Sequence, residues 1–247
     1  MLNLFSRKKT ATDRPDFSML KTDMHSHLLP GIDDGSPDMD TSLLLIRTMK
    51  EFGYSKLITT PHIMWDMYKN TRDGILKKLD ELRKVVKENN IEIELHAAAE
   101  YFLDDHVSGL VKSNEPLLTL SDNLVLVEFS LAYPSMSMKD ILFDMQMKGY
   151  VPVIAHPERY IYLERNKEFY QELKDIGCLF QLNLLSLGNH YGRSAHDLAQ
   201  YLIKNDFYDL VGTDLHNFRH VEGLQNPSLL PHLKKLLETG RIRNNQL

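Results

Sequence analysis

Nine side chains of the types that bind metal ions follow or end apolar stretches of this 247-residue chain. All nine are imidazoles or carboxylates, and none is a thiolate. In chain order they are His25, His27, Asp33, His62, Glu100, Glu128, His156, Asp214 and His216. This ligand set suits zinc, manganese or iron and does not suit a copper or iron–sulfur site. The pattern therefore predicts a hydrolase with several metal ions.

Two of the motifs place two ligands on one face of a strand. Because successive side chains of a strand point to opposite faces, His25 and His27 share a face, and so do Asp214 and His216. Asp23, just before the first pair, is predicted to orient an imidazole. Any one of these residues alone is better explained as a core histidine or a surface acid. Their recurrence at six strand ends is what favours a metal centre.

Seven apolar stretches predict the strands that would position these residues. They span residues 20–24, 56–60, 91–98, 124–129, 151–155, 179–182 and 209–212. Helix-like patterns lie between most of them and after the last, at residues 37–53, 71–89, 135–148, 166–176, 194–205 and 227–238. Ser36 and Thr71 are predicted to cap the first two helices. The alternation predicts parallel strands in an α/β barrel of seven units, with the ligands at its mouth.

Composition narrows the class of protein. The hydrophobic share of 43% and the charged share of 26% are ordinary for a globular protein, and the net charge of -5 argues against a broad nucleic-acid-binding surface. A single cysteine excludes an internal disulfide framework and fits the cytoplasm. No apolar stretch is as long as an integral membrane segment. Residues 1–19 are predicted to be an N-terminal extension, partly disordered or a docking segment, and residues 20–247 a single domain.

The motifs resemble those of the PHP (polymerase and histidinol phosphatase) superfamily, and within it the bacterial capsule-associated tyrosine phosphatases. The resemblance extends over about residues 21–237 and rests on the stretch DMHSHLLPGIDDG at 23–35, Thr60-Pro61-His62, Glu100, Glu128, His156-Pro157-Glu158-Arg159 and Asp214-Leu215-His216-Asn217. It implies a distorted (β/α)7 TIM-like barrel of the PHP type. It also implies three divalent metal ions, usually manganese, with iron or zinc as alternatives.

The resemblance further assigns a role to each candidate residue. It implies that His25, His27, Glu100 and Asp214 bind one ion, that Glu100 bridges to a second ion bound by Glu128 and His156, and that Asp33 (or Asp34), His62 and His216 bind the third. Arg159 and Arg219 would bind the phosphate. After His62 the sequence departs from its relatives, which often carry a second histidine where this chain has Ile63-Met64-Trp65.

The implied activity is that of a metal-dependent phosphomonoesterase, a protein-tyrosine phosphatase in which a metal-bound hydroxide attacks phosphorus. Its substrate would be a phosphotyrosine protein, namely a bacterial tyrosine kinase that controls polysaccharide export. Three divalent ions would leave a positive surplus over the proposed carboxylates, which suits a phosphomonoester dianion. Six aromatic residues in loops or at element ends are candidates to flank the ring: Trp65, Tyr68, Tyr133, Tyr160, Tyr162 and Tyr191.

Other functions stay open at this point. A small-molecule phosphatase of the histidinol-phosphatase type would use the same ligands. An amidohydrolase would also carry His-x-His on a first strand, although such enzymes usually have eight strands. A non-catalytic interaction module would lack ligands, and a proofreading nuclease accessory would need a nucleic-acid path. The sequence does not determine the oligomeric state.

The single cysteine supplies the first testable prediction. A cysteine phosphatase needs an arginine six residues after its nucleophile, and the residue six positions after Cys178 is Leu184. We therefore expect Cys178→Ser to keep the kcat of the metal-loaded enzyme on an aryl phosphate. Circular dichroism would verify the fold of the variant, and a folded but inactive variant would contradict the prediction.

Overall fold

Parallel strands and helices alternate along most of the chain in the computed structural model, which describes residues 15–134 and 137–247. The strands in these residues are β1 (Thr22–Asp23), β2 (Lys56–Thr59), β3 (His62–Ile63), β4 (Glu94–Ala97), β5 (Glu100–Phe102), β6 (Leu124–Glu128), β7 (Val151–Ala155), β8 (Leu179–Asn183) and β9 (Leu210–Gly212). Every pairing between them is parallel. The predicted α/β class with a parallel arrangement is confirmed.

The helices of the same residues surround these strands. They are α1 (Met39–Glu51), α2 (Arg72–Glu88), α3 (Asp105–Lys112), α4 (Met138–Met147), α5 (Glu168–Asp175), α6 (Arg193–Lys204), α7 (Phe218–Leu224) and α8 (Leu229–Leu237). Helices α3 and α7 were absent from the prediction. Both are short, with eight and seven residues, so two turns give little helical periodicity to detect. The predicted start of α4 at residues 135–136 lies outside the described residues.

Two strand regions are each interrupted once, the first between β2 and β3 and the second between β4 and β5. Thr59 pairs with Ala97, and beyond the break His62 pairs with Glu100, so the register of the two interrupted strands is unchanged. Pro61 lies in the first break, where it cannot donate a ladder hydrogen bond. Consequently, His62 and Glu100 are strand residues, although the sequence had placed them just after strand ends. Strand geometry therefore fixes both side chains.

The strands form two hydrogen-bonded sheets, and hydrogen bonds join the segments that follow the first strand, β1, and the last strand, β9. One sheet has the order β1-β2-β4 and the other has the order β3-β5-β6-β7-β8-β9. Just beyond β1 and β9, Ser26 and Leu215 form a parallel bridge. His27 N donates to Leu215 O at 2.8 Å, and Asp214 N donates to His25 O at 2.8 Å. These bonds place the first and last ligand motifs side by side.

Helix starts show where local sequence rules hold. Thr71 accepts a hydrogen bond from Gly74 N and caps α2, as predicted. Ser36 does not cap α1, because Asp38 accepts from Thr41 N at 2.8 Å instead. The Ser36 hydroxyl donates to Asp38 O and therefore supports the true cap. The prediction was wrong by two residues because both residue types are good caps.

The folded domain begins before residue 20. Phe17 is fully buried, and its ring lies 6.1 Å from that of Phe52 and 5.9 Å from that of Tyr54. Its N–H donates to Phe52 O at 2.7 Å. The last residues of the predicted extension therefore belong to the core, and the rest of that prediction falls on residues 1–14, outside the described part. No helix among the described residues has the length and apolar character to span a membrane.

One buried asparagine near the C-terminus connects the first and last strands. Asn244 Oδ1 accepts from Val211 N at 2.9 Å, and its Nδ2 donates to Thr22 O at 3.0 Å and to Val211 O at 2.6 Å. The side chain thus acts as a strand neighbour for β1 and β9. Without it, buried backbone groups of both strands would lose their partners.

We expect Asn244→Ala to lower the free energy of unfolding by about 2 kcal/mol, because the substitution leaves buried backbone donors and acceptors without hydrogen-bond partners. The measurement is chemical denaturation followed by circular dichroism. Asn245→Ala is the matched control, since its side chain is exposed, and should change stability by less than about 0.5 kcal/mol. Equal losses in both variants would refute a specific role for Asn244.

Candidate metal centre

The candidate ligands come from six different strand regions. His25 and His27 follow β1, His62 lies in β3, Glu100 begins β5, Glu128 ends β6, His156 follows β7, and Asp214 and His216 follow β9. Six of these eight side chains line an open cavity of about 510 Å³, namely His62, Glu100, Glu128, His156, Asp214 and His216. Parallel strands bring their carboxyl ends to one side, so residues far apart in sequence converge there.

A first cluster joins the two same-face pairs of the sequence through Glu100. His25 Nε2 lies 3.2 Å from Glu100 Oε2 and 3.3 Å from Asp214 Oδ1. His27 Nε2 lies 3.4 Å from the same oxygen of Glu100 and 3.5 Å from that of Asp214. All four side chains are buried, and their donor atoms lie within 4.8 Å of one another. This is a compact donor set of two imidazoles and two carboxylates.

A second cluster shares Glu100 with the first. His156 Nε2 lies 3.1 Å from Glu100 Oε1 and 3.6 Å from Glu128 Oε1. On the other side, His62 Nδ1 lies 3.2 Å from Glu100 Oε2 and 3.8 Å from Glu128 Oε2. Glu100 therefore offers donor atoms to two adjacent clusters, which is the geometry of a bridging carboxylate.

A third cluster contains Asp34 rather than Asp33. Asp34 Oδ1 lies 3.5 Å from the Nε2 atoms of both His62 and His216, and His27 completes the group. Asp33 turns away from these atoms, and its Oδ2 accepts from His27 Nδ1 at 2.8 Å. The expected ligand role of Asp33 thus does not match the geometry. The carboxylate instead orients the imidazole of His27.

Close approach of the loop to His27 explains why two adjacent aspartates differ. A Cβ atom at Gly35 would lie 2.4 Å from His27 Cβ, so only glycine allows this approach. Gly35 N donates to Asp33 Oδ1 at 3.0 Å. The loop therefore directs the Asp33 side chain inward to His27 and leaves Asp34 at the cavity.

Further hydrogen bonds hold the imidazoles in one orientation. His25 Nδ1 donates to Gln181 Oε1 at 2.9 Å, and His216 Nδ1 donates to the backbone oxygen of Asp214 at 2.8 Å. With Nδ1 engaged, each ring presents Nε2 to the cluster, as metal-ligating histidines require. No motif in the sequence indicates the role of Gln181, because a glutamine in an apolar strand has no distinctive spacing.

Asp23 does not orient an imidazole, contrary to the prediction. Its carboxylate accepts from Thr213 N at 2.9 Å and from Thr213 Oγ1 at 2.7 Å. Asp23 and His25 share a face of the strand, but the Nδ1 atom of His25 is already bonded to Gln181. Asp23 instead joins the segments around β1 and β9.

The electrostatics of the centre favour a bound cation. Burial, and then the charge of Glu100, raise the pKa of Glu128 well above its ordinary value. Glu100 Oε2 and His62 Nδ1 are buried and have no hydrogen bond of good geometry to the described residues. Burial and the charge of Arg159 lower the pKa of His156 to about 4, so its imidazole is neutral and able to coordinate. These residues fit divalent cations.

The backbone is strained at two of the candidate ligands. His156 has φ 33° and Asp214 has φ 52°, both in the left-handed region that residues other than glycine seldom adopt. His156 directly follows β7, and Asp214 lies two residues after the end of β9. Such conformations cost about 1–3 kcal/mol each and persist where the surroundings enforce them, commonly at functional sites.

Of the two predicted arginines, only Arg159 lines the cavity. Its Nη1 donates to Asp214 Oδ2 at 2.8 Å. Arg219 is exposed on α7 and does not line the cavity, whereas the next residue, His220, does. His220 Nδ1 donates to the backbone oxygen of Asp214 at 2.9 Å. The sequence missed His220 because the register of α7 relative to the cavity is a tertiary property.

Apolar side chains form much of the cavity wall above the ligands. They are Met64, Met67, Tyr68, Phe102, Phe129, Leu131 and Ala132. Of the six candidate aromatic residues, Tyr68 and Tyr191 line the cavity, and Tyr68 stacks on His62 with ring centroids 5.5 Å apart. Trp65 stacks on His106 instead. The cavity therefore combines a charged floor with walls suited to a flat apolar group.

The cysteine has the properties of a core residue. Cys178 is buried, and burial raises the pKa of its thiol to about 12. The residue does not line the cavity. A thiolate nucleophile is therefore not available near neutral pH.

Comparison with known proteins identifies a family and several relatives. Residues 21–234 match the family described as capsular polysaccharide synthesis, CpsB/CapC. The tyrosine-protein phosphatase YwqE of Bacillus subtilis is 29% identical over 198 residues, covering 80% of this chain and 78% of its own. The tyrosine-protein phosphatase CpsB of Streptococcus pneumoniae is 30% identical over 202 residues, covering 79% of this chain and 82% of its own.

Solved structures give the same grouping. A crystal structure from the work on YwqE from Bacillus subtilis and CpsB from Streptococcus pneumoniae, described as unique metal-dependent tyrosine phosphatases, superposes with a TM-score of 0.77 at 28% identity and covers 87% of this chain and 86% of that one. The lactonase Lmo2620 from Listeria monocytogenes, at 12% identity and a TM-score of 0.54 over 91% of this chain and 89% of its own, shares the fold alone. On the family match over most of its length, the chain belongs to the CpsB/CapC family of capsular polysaccharide synthesis.

Proposed function

We propose that this protein is a metal-dependent protein-tyrosine phosphatase that hydrolyses phosphotyrosine in a protein linked to capsule or exopolysaccharide synthesis. The observation that carries the proposal is the arrangement around Glu100, where three overlapping donor clusters lie at the floor of one open cavity. The named activity of the relatives YwqE and CpsB supports it. A bacterial tyrosine kinase is the substrate we propose, on the strength of the family.

We further propose three divalent ions, manganese in the first place, with iron or zinc as alternatives. His25, His27, Glu100 and Asp214 would bind the first, Glu100, Glu128, His156 and His62 would surround the second, and Asp34, His62 and His216 would bind the third. When bound, such ions activate water for attack and neutralise the charge of a phosphoryl group. Asp34 replaces Asp33 in this assignment because of the distances to His62 and His216.

The chain's own residues would bind and orient the substrate. Arg159 lines the cavity and is permanently charged, and its planar fork matches phosphoryl oxygens. Above the floor, Phe102, Phe129 and Leu131 offer apolar surface to a phenyl ring. Tyrosine has a pKa of about 10, so a phenolate leaves more readily than an alkoxide and needs less help from a general acid. This combination favours an aryl phosphate over a polar alcohol phosphate.

For the scaffold, we propose a single-domain distorted (β/α)7 barrel of the PHP type, as the resemblance implies. Three observations support it: the seven strand regions, all parallel, the unbroken register across the two interrupted strands, and the hydrogen bonds that join the segments after β1 and β9. An incomplete sheet between these segments would leave the first and last ligand motifs apart.

Metal removal tests the proposed function. We expect chelation to abolish turnover of a phosphotyrosine peptide and added Mn²⁺ to restore it, because the clusters supply no alternative nucleophile. The measurement is phosphate release by apo and reconstituted protein, with metal content determined in parallel. Histidinol phosphate is the competing substrate, and a higher kcat/KM for histidinol phosphate than for the peptide would sink the tyrosine-phosphatase assignment.

The shared carboxylate supplies a second test. Glu100→Gln removes the charge that two clusters use, so we expect kcat to fall by more than about 100-fold together with a loss of bound metal. Glu92→Gln is the matched control, because Glu92 is exposed, and should leave both quantities unchanged. Full activity of a folded Glu100→Gln protein would rule out the proposed bridge.

A further inference from the structure

The guanidinium of Arg159 rests on an aromatic ring that the metal clusters do not include. Its central carbon lies 4.4 Å from the centroid of the Tyr191 ring. Both residues line the cavity, and the Arg159 side chain is 21% exposed. Among the described residues, Asp214 is the one hydrogen-bond acceptor of this guanidinium. One bond alone leaves the plane of a long side chain free to rotate.

A buried asparagine connects Tyr191 to the metal centre. Asn183 Nδ2 lies 3.1 Å from the hydroxyl oxygen of Tyr191 and 3.0 Å from Asp214 Oδ2, and it donates to both. The asparagine is itself fixed, since its N–H donates to Glu158 Oε1 at 2.9 Å and its Oδ1 accepts from Leu185 N at 3.0 Å. Tyr191 is therefore held at a set place beside Arg159.

The two carboxylate oxygens of Asp214 have different partners. Oδ2 accepts from Arg159 and Asn183, while Oδ1 lies 3.3 Å from His25 Nε2 and faces the first cluster. A carboxylate shared in this way couples the position of the arginine to that of the metal ligands. Tyr191 contributes the remaining constraint, which is the plane of the guanidinium.

We propose that Tyr191 is a positioning residue whose ring fixes the guanidinium plane of Arg159, and that Asn183 holds Tyr191 in place. The proposal rests on the proposed function only in taking Arg159 as the group that binds the phosphoryl oxygens. With its plane set by stacking and one edge bonded to Asp214, the guanidinium keeps its other N–H groups for an oxyanion in the cavity. Stacking of arginine on tyrosine is favourable and costs it no hydrogen bond.

The test measures binding of inorganic phosphate to the Mn²⁺-loaded protein by isothermal titration calorimetry. Tyr191→Leu removes the ring, and we expect it to weaken phosphate binding by about fivefold to tenfold. Tyr191→Phe keeps the ring face but loses the hydrogen bond from Asn183, so its phosphate affinity should fall between those of the wild type and Tyr191→Leu. Tyr201→Leu is the matched control and should have no effect, because the Tyr201 ring carries a similar contact to Lys167 at 4.5 Å and does not line the cavity.

A double-mutant cycle separates positioning from a direct or structural role. In an Arg159→Ala background, Tyr191→Leu should weaken phosphate binding less than about twofold, because the residue on which the ring acts is gone. An equal loss in both backgrounds, or no loss in either, overturns the proposal. If Tyr191→Leu does not fold, Tyr191→Met takes its place in the same cycle.

Kinetics on a phosphotyrosine peptide give an independent readout. Tyr191→Leu should raise KM more than it lowers kcat, with metal content unchanged, and loss of metal in a folded variant would instead overturn the positioning role. Phosphate binding does not depend on which phosphoester is the substrate. A protein that binds phosphate as described but hydrolyses no phosphotyrosine would contradict the proposed function and leave the role of Tyr191 intact.

Discussion

Like-charged carboxylates buried at one point repel each other, and Glu100 and Glu128 are such a pair. Without a compensating cation, one of the two would have to bind a proton or the charges would have to move apart. The surrounding structure prevents separation, because Glu100 is fixed within β5 and Glu128 ends β6, the adjacent strand. Positive charge at this point is therefore stabilising, and the imidazoles of His62 and His156, whose pKa values burial lowers, are suited to coordinate metal ions beside the pair.

Several features of the scaffold position the groups that could hold a cation. Left-handed backbone at His156 and Asp214 turns both side chains at the strand ends, and Gly35 lets a loop approach His27. Gln181 and Asp33 hold two imidazoles by their Nδ1 atoms. Each of these arrangements costs stability or conformational freedom when considered alone. Together they place nitrogen and oxygen donors before any ion arrives, which is the preorganisation on which electrostatic catalysis depends.

Asp214 links the candidate metal centre to Arg159 in the cavity wall. One of its oxygens faces the imidazoles and the other binds Arg159 and Asn183. A phosphoryl group in the cavity would therefore contact an arginine whose position depends on the same carboxylate that faces the first donor cluster. This arrangement explains why the buried polar residues behind the cavity, Asn183 and Glu158 among them, form a connected set of hydrogen bonds.

The sequence by itself determined the candidate ligand residues, the parallel α/β class and most element positions, because these depend on local alternation and on apolar stretches. His25 and His27 share a face through the geometry of any strand, and an acid such as Glu128 on an apolar strand signals a charged partner. Only the tertiary structure decided between Asp33 and Asp34, which have the same turn propensity and differ in which one the loop directs at His27. It also decided that His220 and not Arg219 lines the cavity, and that Gln181, Asn183 and Tyr191 support the site. These roles arise from contacts between distant segments, and no spacing within one segment encodes them.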